Sequence, residues 1–300
     1  MLVRFSAIGD CVMAAWAATS IRQLYPEVFL CWAVESRCAA VIDRQTLCSR
    51  VYEFPRDRWK RKRWSPKTWR EQLVTHARLR NMRFDYGIDL QGHSKTALCL
   101  RIAKPKQRVA ARATDSMAAR LNPMVGEAPH GTHTVEWNHQ VLRTFGDFVL
   151  PQAPIMPPRA EPAEGLITIS VSAGQADKAY PADHWREVAE ALLQQGRRVA
   201  FLGGPTDTPI KLDGAEDYVG QLGLEKTMQM VAQSDLHLAA DTGTGHMAAA
   251  YRVPVVSVFG PTDPAIYRPY TDNGKVLRAG QKTADVKPEH VIKAARELLP

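Results

Sequence analysis

The stretch Ala239-Ala240-Asp241-Thr242-Gly243-Thr244-Gly245-His246-Met247-Ala248-Ala249-Ala250 decides how this chain folds. An apolar run of strand length, Leu236 to Ala240, ends in an acid, a hydroxyl and glycines, and a helix of small residues begins at about Thr244. A second apolar run, Val255 to Phe259, follows and ends in Gly260-Pro261-Thr262-Asp263-Pro264. Strand, helix and strand in that order read as a parallel βαβ unit. The glycines let a ligand approach the backbone, and a helix N-terminus offers unpaired N–H groups with partial positive charge, which suits a diphosphate. A plain strand-to-helix turn with Thr242 or Thr244 as N-cap accounts for the same residues without a ligand.

The same alternation extends outward. Upstream come a strand from Leu166 to Val171, a helix from about Asp183, a strand from Arg198 to Leu202 and a helix near Met228 to Gln233. Trp185, Val188 and Leu192 share one face of the first of these helices. An earlier series has a strand over Leu2 to Ala7, a helix from about Cys11, strands near Val28 to Val34 and Val51 to Phe54, a helix from Pro66 to about Arg80, and a strand from Tyr86 to Leu90. Between the series, Pro151, Pro154, Pro157, Pro158 and Pro162 remove backbone donors and fix φ, so neither helix nor central strand runs there. A chain of 300 residues accommodates two α/β domains. The reading is an N-terminal lobe of residues 1–150, a linker of 151–163 and a C-terminal lobe of 164–300.

Hydrophobic residues make up 45% of the chain, yet no run approaches the roughly 20 apolar residues of a membrane-spanning helix, and the first residues enter a strand pattern without a secretory signal. A cytoplasmic protein is expected, with peripheral contact at the inner membrane left open. The five cysteines, Cys11, Cys31, Cys38, Cys48 and Cys99, are odd in number and lack a CxxC pair, so they read as reduced core thiols. The formal charge of +8 is unevenly placed. Arg56, Arg58, Lys60, Arg61, Lys62, Arg63, Lys67 and Arg70 crowd one segment against the lone acid Asp57, which calls for an anionic partner unless the run is only a solvated face. Arg101, Lys104, Lys106, Arg108 and Arg112 form a second cluster that could extend the patch, and either cluster could meet anionic lipid headgroups. Trp59, Trp64 and Trp69 suit an interfacial loop, with core packing of at least one the simpler alternative.

The Asp241 to His246 segment followed by Gly260-Pro261-Thr262-Asp263-Pro264 resembles the donor signature of glycosyltransferase family 9, the lipopolysaccharide heptosyltransferases, and is nearest the heptosyltransferase I branch. Phe5-Ser6-Ala7-Ile8-Gly9-Asp10, Asp89-Leu90-Gln91-Gly92-His93-Ser94-Lys95 and Lys178-Ala179-Tyr180-Pro181 with Trp185 agree in order and spacing, so the resemblance spans nearly the whole chain. It implies the GT-B fold, two Rossmann-like parallel-sheet lobes facing across a cleft. It also implies inverting transfer of heptose from an ADP-heptose donor to the Kdo and lipid A inner core, with no cofactor and no required metal.

By the same resemblance Asp10 is the general base, and Lys178, Asp241, Thr242, Gly243 and His246 hold the donor. Ser172 partly replaces a threonine pair absent at Ala173-Gly174. Arg58, Lys60, Arg61, Gln91, Arg112 and Arg120 fall on the acceptor side. One displacement needs one carboxylate to take the acceptor proton, and a lysine beside the diphosphate stabilises the leaving charge. Bland alternatives stand beside these: Asp10 as a cap of the first helix, Lys178 as a solvated lysine, His246 as a satisfied helix residue. The family's acidic ribose contact falls near Gly220, which leaves the nucleoside contacts and hence the donor open, UDP- or GDP-sugars included. An NAD-dependent oxidoreductase needs a Gly-x-Gly-x-x-Gly turn that follows neither first strand. A specific nucleic-acid binder needs an aromatic RNP-like motif, a zinc pattern or a recognition helix, and the chain offers none.

Overall fold

Strands buried on both faces read as near-continuous apolar runs, and three segments of the C-terminal half fit that rule, interrupted only by small polar residues and His237. In the computed structural model, which describes residues 1–158, 160–161 and 163–299, they form the centre of a six-stranded parallel sheet. The C-terminal elements are β6 (Leu166–Ser170), α7 (Ala182–Leu193), β7 (Arg198–Gly203), β8 (Glu216–Val219), α8 (Leu224–Gln233), β9 (Leu236–Ala240), α9 (Gly243–Tyr251), β10 (Val255–Val258), α10 (Pro264–Tyr267), β11 (Gly274–Leu277) and α11 (Pro288–Leu298). Strand order is β11-β10-β9-β6-β7-β8, so the chain winds outward from β6 on one side and then returns to start again at β9. Trp185, Val188 and Leu192 of α7 are fully buried with Ile167, Ile169 and Phe201, each contributing about 1.5–3 kcal/mol by leaving water.

The N-terminal elements are β1 (Leu2–Val3), α1 (Ile8–Leu24), β2 (Cys31–Glu35), β3 (Arg50–Phe54), α2 (Arg56–Arg61), α3 (Pro66–Asn81), β4 (Tyr86–Asp89), α4 (Ser94–Ala103), β5 (Gln107–Ala110), α5 (Ser116–Leu121) and α6 (Thr134–Leu142). They build a parallel sheet of order β3-β2-β1-β4-β5, with the reversal of winding between β1 and β4. Contacts divide the chain into compact units Met1–Ile155 and Met156–Pro300. Of the proline-rich stretch, Arg159 and Pro162 lie outside the described residues.

Several expectations shift. Regular pairing of β1 ends at Val3 rather than Ala7, because the amides of Phe5 and Ser6 find the side-chain oxygen of Gln91 at 2.8 and 3.4 Å instead of a strand partner. Helix α1 begins at Ile8, ahead of Cys11, so Asp10 sits in its first turn. The start of the basic run is helix α2 and a turn rather than a loop, and the expected helix from Pro66 follows as α3. Trp59 packs edge-on against Phe54 in the core, whereas Trp64 and Trp69 face solvent. All five cysteines are free thiols and buried. Among the described residues no helix is long and apolar enough to cross a membrane.

Candidate active site

In open parallel α/β sheets, ligands gather beyond the carboxyl ends of the strands where the winding reverses. In the C-terminal unit that point lies between β6 and β9. The segment after β6 carries Lys178, the segment after β9 carries Asp241, and Lys178 Nζ stands 2.6 Å from Asp241 Oδ2. The Asp241 side chain is 8% exposed and Lys178 is 24% exposed, so the pair is mostly withdrawn from water. Helix α9 starts immediately after, at Gly243, with Thr242 at the N-cap position. Thr242 makes no side-chain capping bond; its hydroxyl lies 3.0 Å from that of Thr244. The first-turn amides of α9 are therefore not capped by a side chain, the condition under which a helix N-terminus receives an anion. His246 is buried within α9.

Ser172 does not face this point alone. Its hydroxyl donates to Asp207 Oδ2 and accepts from the Gly204 amide at 3.2 Å, while that amide also donates to Asp207 Oδ2 at 2.7 Å. Asp207 belongs to the turn after β7, the strand beside β6. The sequence leaves the family's acidic ribose contact unfilled near Gly220; a carboxylate that the fold sets at the end of the neighbouring strand is Asp207. The glycine pair Gly203-Gly204 straight after an apolar strand was the signal that could have found it.

In the N-terminal unit the reversal lies between β1 and β4, and Asp10 and Gln91 follow those two strands. Asp10 Oδ2 accepts from the Ala7 amide at 3.1 Å and pairs with Arg4 Nη2 at 2.6 Å. Helix capping and a carboxylate at the strand end thus coexist in one residue, whose side chain is 27% exposed. Arg4 is almost fully buried and also donates to the Leu90 carbonyl at 2.6 Å, which ties the base candidate to the end of β4. Gln91 is buried with its side-chain oxygen committed to the Phe5 and Ser6 amides just after β1, so its place is beneath the site as a clamp. Buried Asp89 accepts from the Gln91 and Gly92 amides at 2.9 Å each and shapes this turn; burial pushes its carboxyl above the usual range.

Sequence reasoning missed a third group. Glu35, at the end of β2, takes Lys95 Nζ at 3.0 Å and Arg56 Nε at 3.2 Å on one oxygen and Arg37 Nε at 3.0 Å on the other. Burial works to raise its pKa, but hydrogen bonds from Lys95 and Arg37 outweigh that and hold it below the ordinary value. Three cations around one carboxylate leave a local surplus of positive charge, with Lys95 and Arg56 both over the ring of Phe5. Arg56 thus turns inward, away from the anticipated patch. Arg58 pairs with Glu71, whereas Lys60 and Arg61 are exposed.

The second basic cluster does not form one surface. Arg101 and Lys104 end α4, Lys106 pairs with Asp85 at 2.7 Å and Arg108 meets Asn122 at 3.1 Å, all at the amino ends of the strands. Only Arg112, beyond the carboxyl end of β5, shares the edge of Asp10, while Arg120 is exposed on α5. A cavity of about 610 Å³ lined by Met1, Tyr25, Phe29, Phe84, Tyr86 and Phe148 also lies at the amino ends, remote from these groups.

Two doubly wound parallel sheets, each with polar groups at its reversal point, make up the GT-B fold. The model of glycosyltransferase family 9 (heptosyltransferase) matches residues 72–295, and the chain belongs to that family of glycosyltransferases. It is 27% identical over 287 residues to lipopolysaccharide heptosyltransferase 1 of Pseudomonas aeruginosa, covering 90% of this chain and 81% of the relative. The enzyme of the same name from Escherichia coli K12 is 25% identical over 297 residues, with 93% of each chain covered. In structure it is similar to E. coli heptosyltransferase WaaC with ADP, at a TM-score of 0.84 and 23% identity, covering 99% of this chain and 98% of that one.

Proposed function

We propose that the protein transfers a heptose, with inversion, from ADP-heptose to the Kdo region of a lipid A inner core. The observation that carries the reading is the Lys178–Asp241 pair beside the uncapped start of α9. A diphosphate there would meet an ammonium and the α9 amides, and Asp241 is the group that positions Lys178 for it. Support for the sugar and nucleotide comes from the relatives named lipopolysaccharide heptosyltransferase 1 and from the similarity to WaaC with ADP-2-deoxy-2-fluoro heptose. Asp207 is the carboxylate suited to the ribose hydroxyls.

In the reaction the acceptor hydroxyl oxygen attacks the anomeric carbon from the face opposite the leaving group. Its proton passes to the Asp10 carboxylate. The bond from the anomeric carbon to the diphosphate oxygen breaks, and the electron pair leaves with ADP, whose charge Lys178 and the α9 amides stabilise. Arg4 holds the Asp10 carboxylate in place from behind. Lys60, Arg61, Arg58 and Arg112 would receive the acceptor carboxylates and phosphates by charge-assisted bonds.

Isothermal titration with ADP, UDP, GDP and NAD, without metal and then with Mg²⁺, tests the donor. Metal-independent preference for ADP is expected, followed by turnover of ADP-heptose. Preference for UDP or GDP would replace the sugar, and tight NAD binding without diphosphate selectivity would overturn the reading.

A further inference from the structure

We infer that residues 60–74 of the N-terminal unit form a docking surface for an anionic lipid bilayer, with Trp64, Trp69 and Leu73 entering the headgroup layer. Large apolar side chains rarely face water together, yet Trp64 is 76% exposed, Trp69 54% and Leu73 72%. Trp69 and Leu73 are four residues apart on α3 and so share one face, and Trp64 stands in the turn just ahead of that helix.

The one acid of the segment, Glu71, is paired with Arg58, and the remaining charge has one sign. Lys60, Arg61, Lys62, Arg63, Lys67 and Arg70 are all exposed, and among the described residues none of the six is in an ion pair. By contrast the neighbouring Arg56 and Arg58 are both paired with glutamates. An uncompensated cationic rim around outward indoles matches a surface that is apolar beneath and anionic on top, which is a bilayer of acidic lipid. It matches an acidic protein or a nucleic-acid backbone less well, since neither offers an apolar layer for two indoles and a leucine.

The polar atoms agree. The Trp69 indole N–H donates to the Arg63 carbonyl at 2.7 Å, so its ring can leave water without abandoning a donor. Arg63 itself lies over the Trp64 ring at 5.3 Å, which places a cation at the level where the indole would meet phosphate. Trp59, inside the core, anchors the base of the segment.

The inference deepens the reading of a lipid-borne acceptor, but its test needs neither acceptor nor transfer. The full-length protein is sedimented with vesicles of phosphatidylglycerol and phosphatidylethanolamine, and separately with phosphatidylcholine alone. Binding to the anionic vesicles is expected, with a blue shift of tryptophan fluorescence and quenching by brominated lipid that W64F/W69F removes. K62Q/K67Q/R70Q should lower the partition coefficient by about fivefold per charge, on the order of a hundredfold in all. W64A/W69A/L73A should lower it at least about tenfold with its charge intact. Both variants alter exposed positions, and unchanged thermal unfolding verifies their fold. Equal binding to phosphatidylcholine, wild-type binding by W64A/W69A/L73A, or duplex DNA binding that matches the vesicles in strength and leaves the indoles unshifted would each overturn the inference. Loss of vesicle binding with transfer to a soluble acceptor retained would sink it alone, whereas vesicle binding without any transferase activity would sink only the functional reading.

Discussion

Replacing Asp10 by Asn removes the carboxylate's charge and proton affinity while nearly keeping its shape. The amide oxygen can still accept from the Ala7 amide, now 3.1 Å from Oδ2, so the first turn of α1 should persist. What is lost is the charge of the pairing with Arg4, whose Nη2 stands 2.6 Å from that same oxygen, one partner almost fully buried and the other 27% exposed. Breaking a wholly buried pair costs about 3–5 kcal/mol; water at Asp10 and the remaining bond from Arg4 to the Leu90 carbonyl reduce that to about 1–2 kcal/mol. For a unit of this size the melting temperature should drop by about 2–8 °C. The rate should suffer far more, since loss of a general base costs about 10²–10⁴-fold, or 3–5 kcal/mol in the barrier. Donor affinity should stay within about twofold, because every proposed donor residue lies in Met156–Pro300. Single-turnover rates at saturating donor, donor titration and a thermal scan separate the three quantities. A residual rate above about a tenth of wild type, or a rate loss that tracks a loss of donor affinity, would refute Asp10 as the base.

Lys178→Met should weaken ADP binding at least about tenfold and leave the mostly buried Asp241 without its partner, so adding Asp241→Asn should restore stability without restoring binding, as calorimetry would read. Lys60→Gln with Arg61→Gln should raise the acceptor KM about tenfold or more and spare the donor, with Arg58→Gln adding little because Glu71 already holds Arg58; unchanged acceptor kinetics would return the run to a solvated face. Gly92 has φ +73°, and a Cβ there would meet the Arg112 carbonyl oxygen at 2.0 Å, so Gly92→Ala should cost at least about 2 kcal/mol in denaturant unfolding. Burial lowers the His237 pKa from 6.5 to about 3, so below pH 6.5 the unfolded chain takes a proton that the folded chain refuses. Its stability is whole above that pH and falls as acid is added, by about 2 kcal/mol at pH 5, a slope that His237→Asn should flatten.

The central strands were legible because burial on both faces leaves mostly apolar residues: Leu166–Ser170, Leu236–Ala240 and Val255–Val258 are buried throughout, with Thr168, Ser170, His237 and Ser257 the polar members. The strands that escaped notice, β5, β8 and β11, are all sheet edges, with half-exposed sequences such as Glu216–Val219 and Gly274–Leu277 that carry too little apolar signal. Site residues divide the same way. Asp10, Lys178 and Asp241 stand in short contiguous motifs, so they could be named from sequence. Glu35 and its cations come from positions 35, 37, 56 and 95, and only the side-by-side packing of strand ends unites them. Arg4 was in plain view, a charge inside an apolar strand, and its partner became visible only when α1 began earlier than expected.

The bare start of α9 sets a trade-off for anyone who redesigns this chain. A well-chosen N-cap contributes about 1 kcal/mol, and Thr242 forgoes it by turning its hydroxyl to Thr244. A stability-driven search would therefore favour a capping aspartate at position 242, whose carboxylate would occupy the very amides a phosphate requires. If the donor binds there as proposed, stability and turnover ask for different residues at that one position.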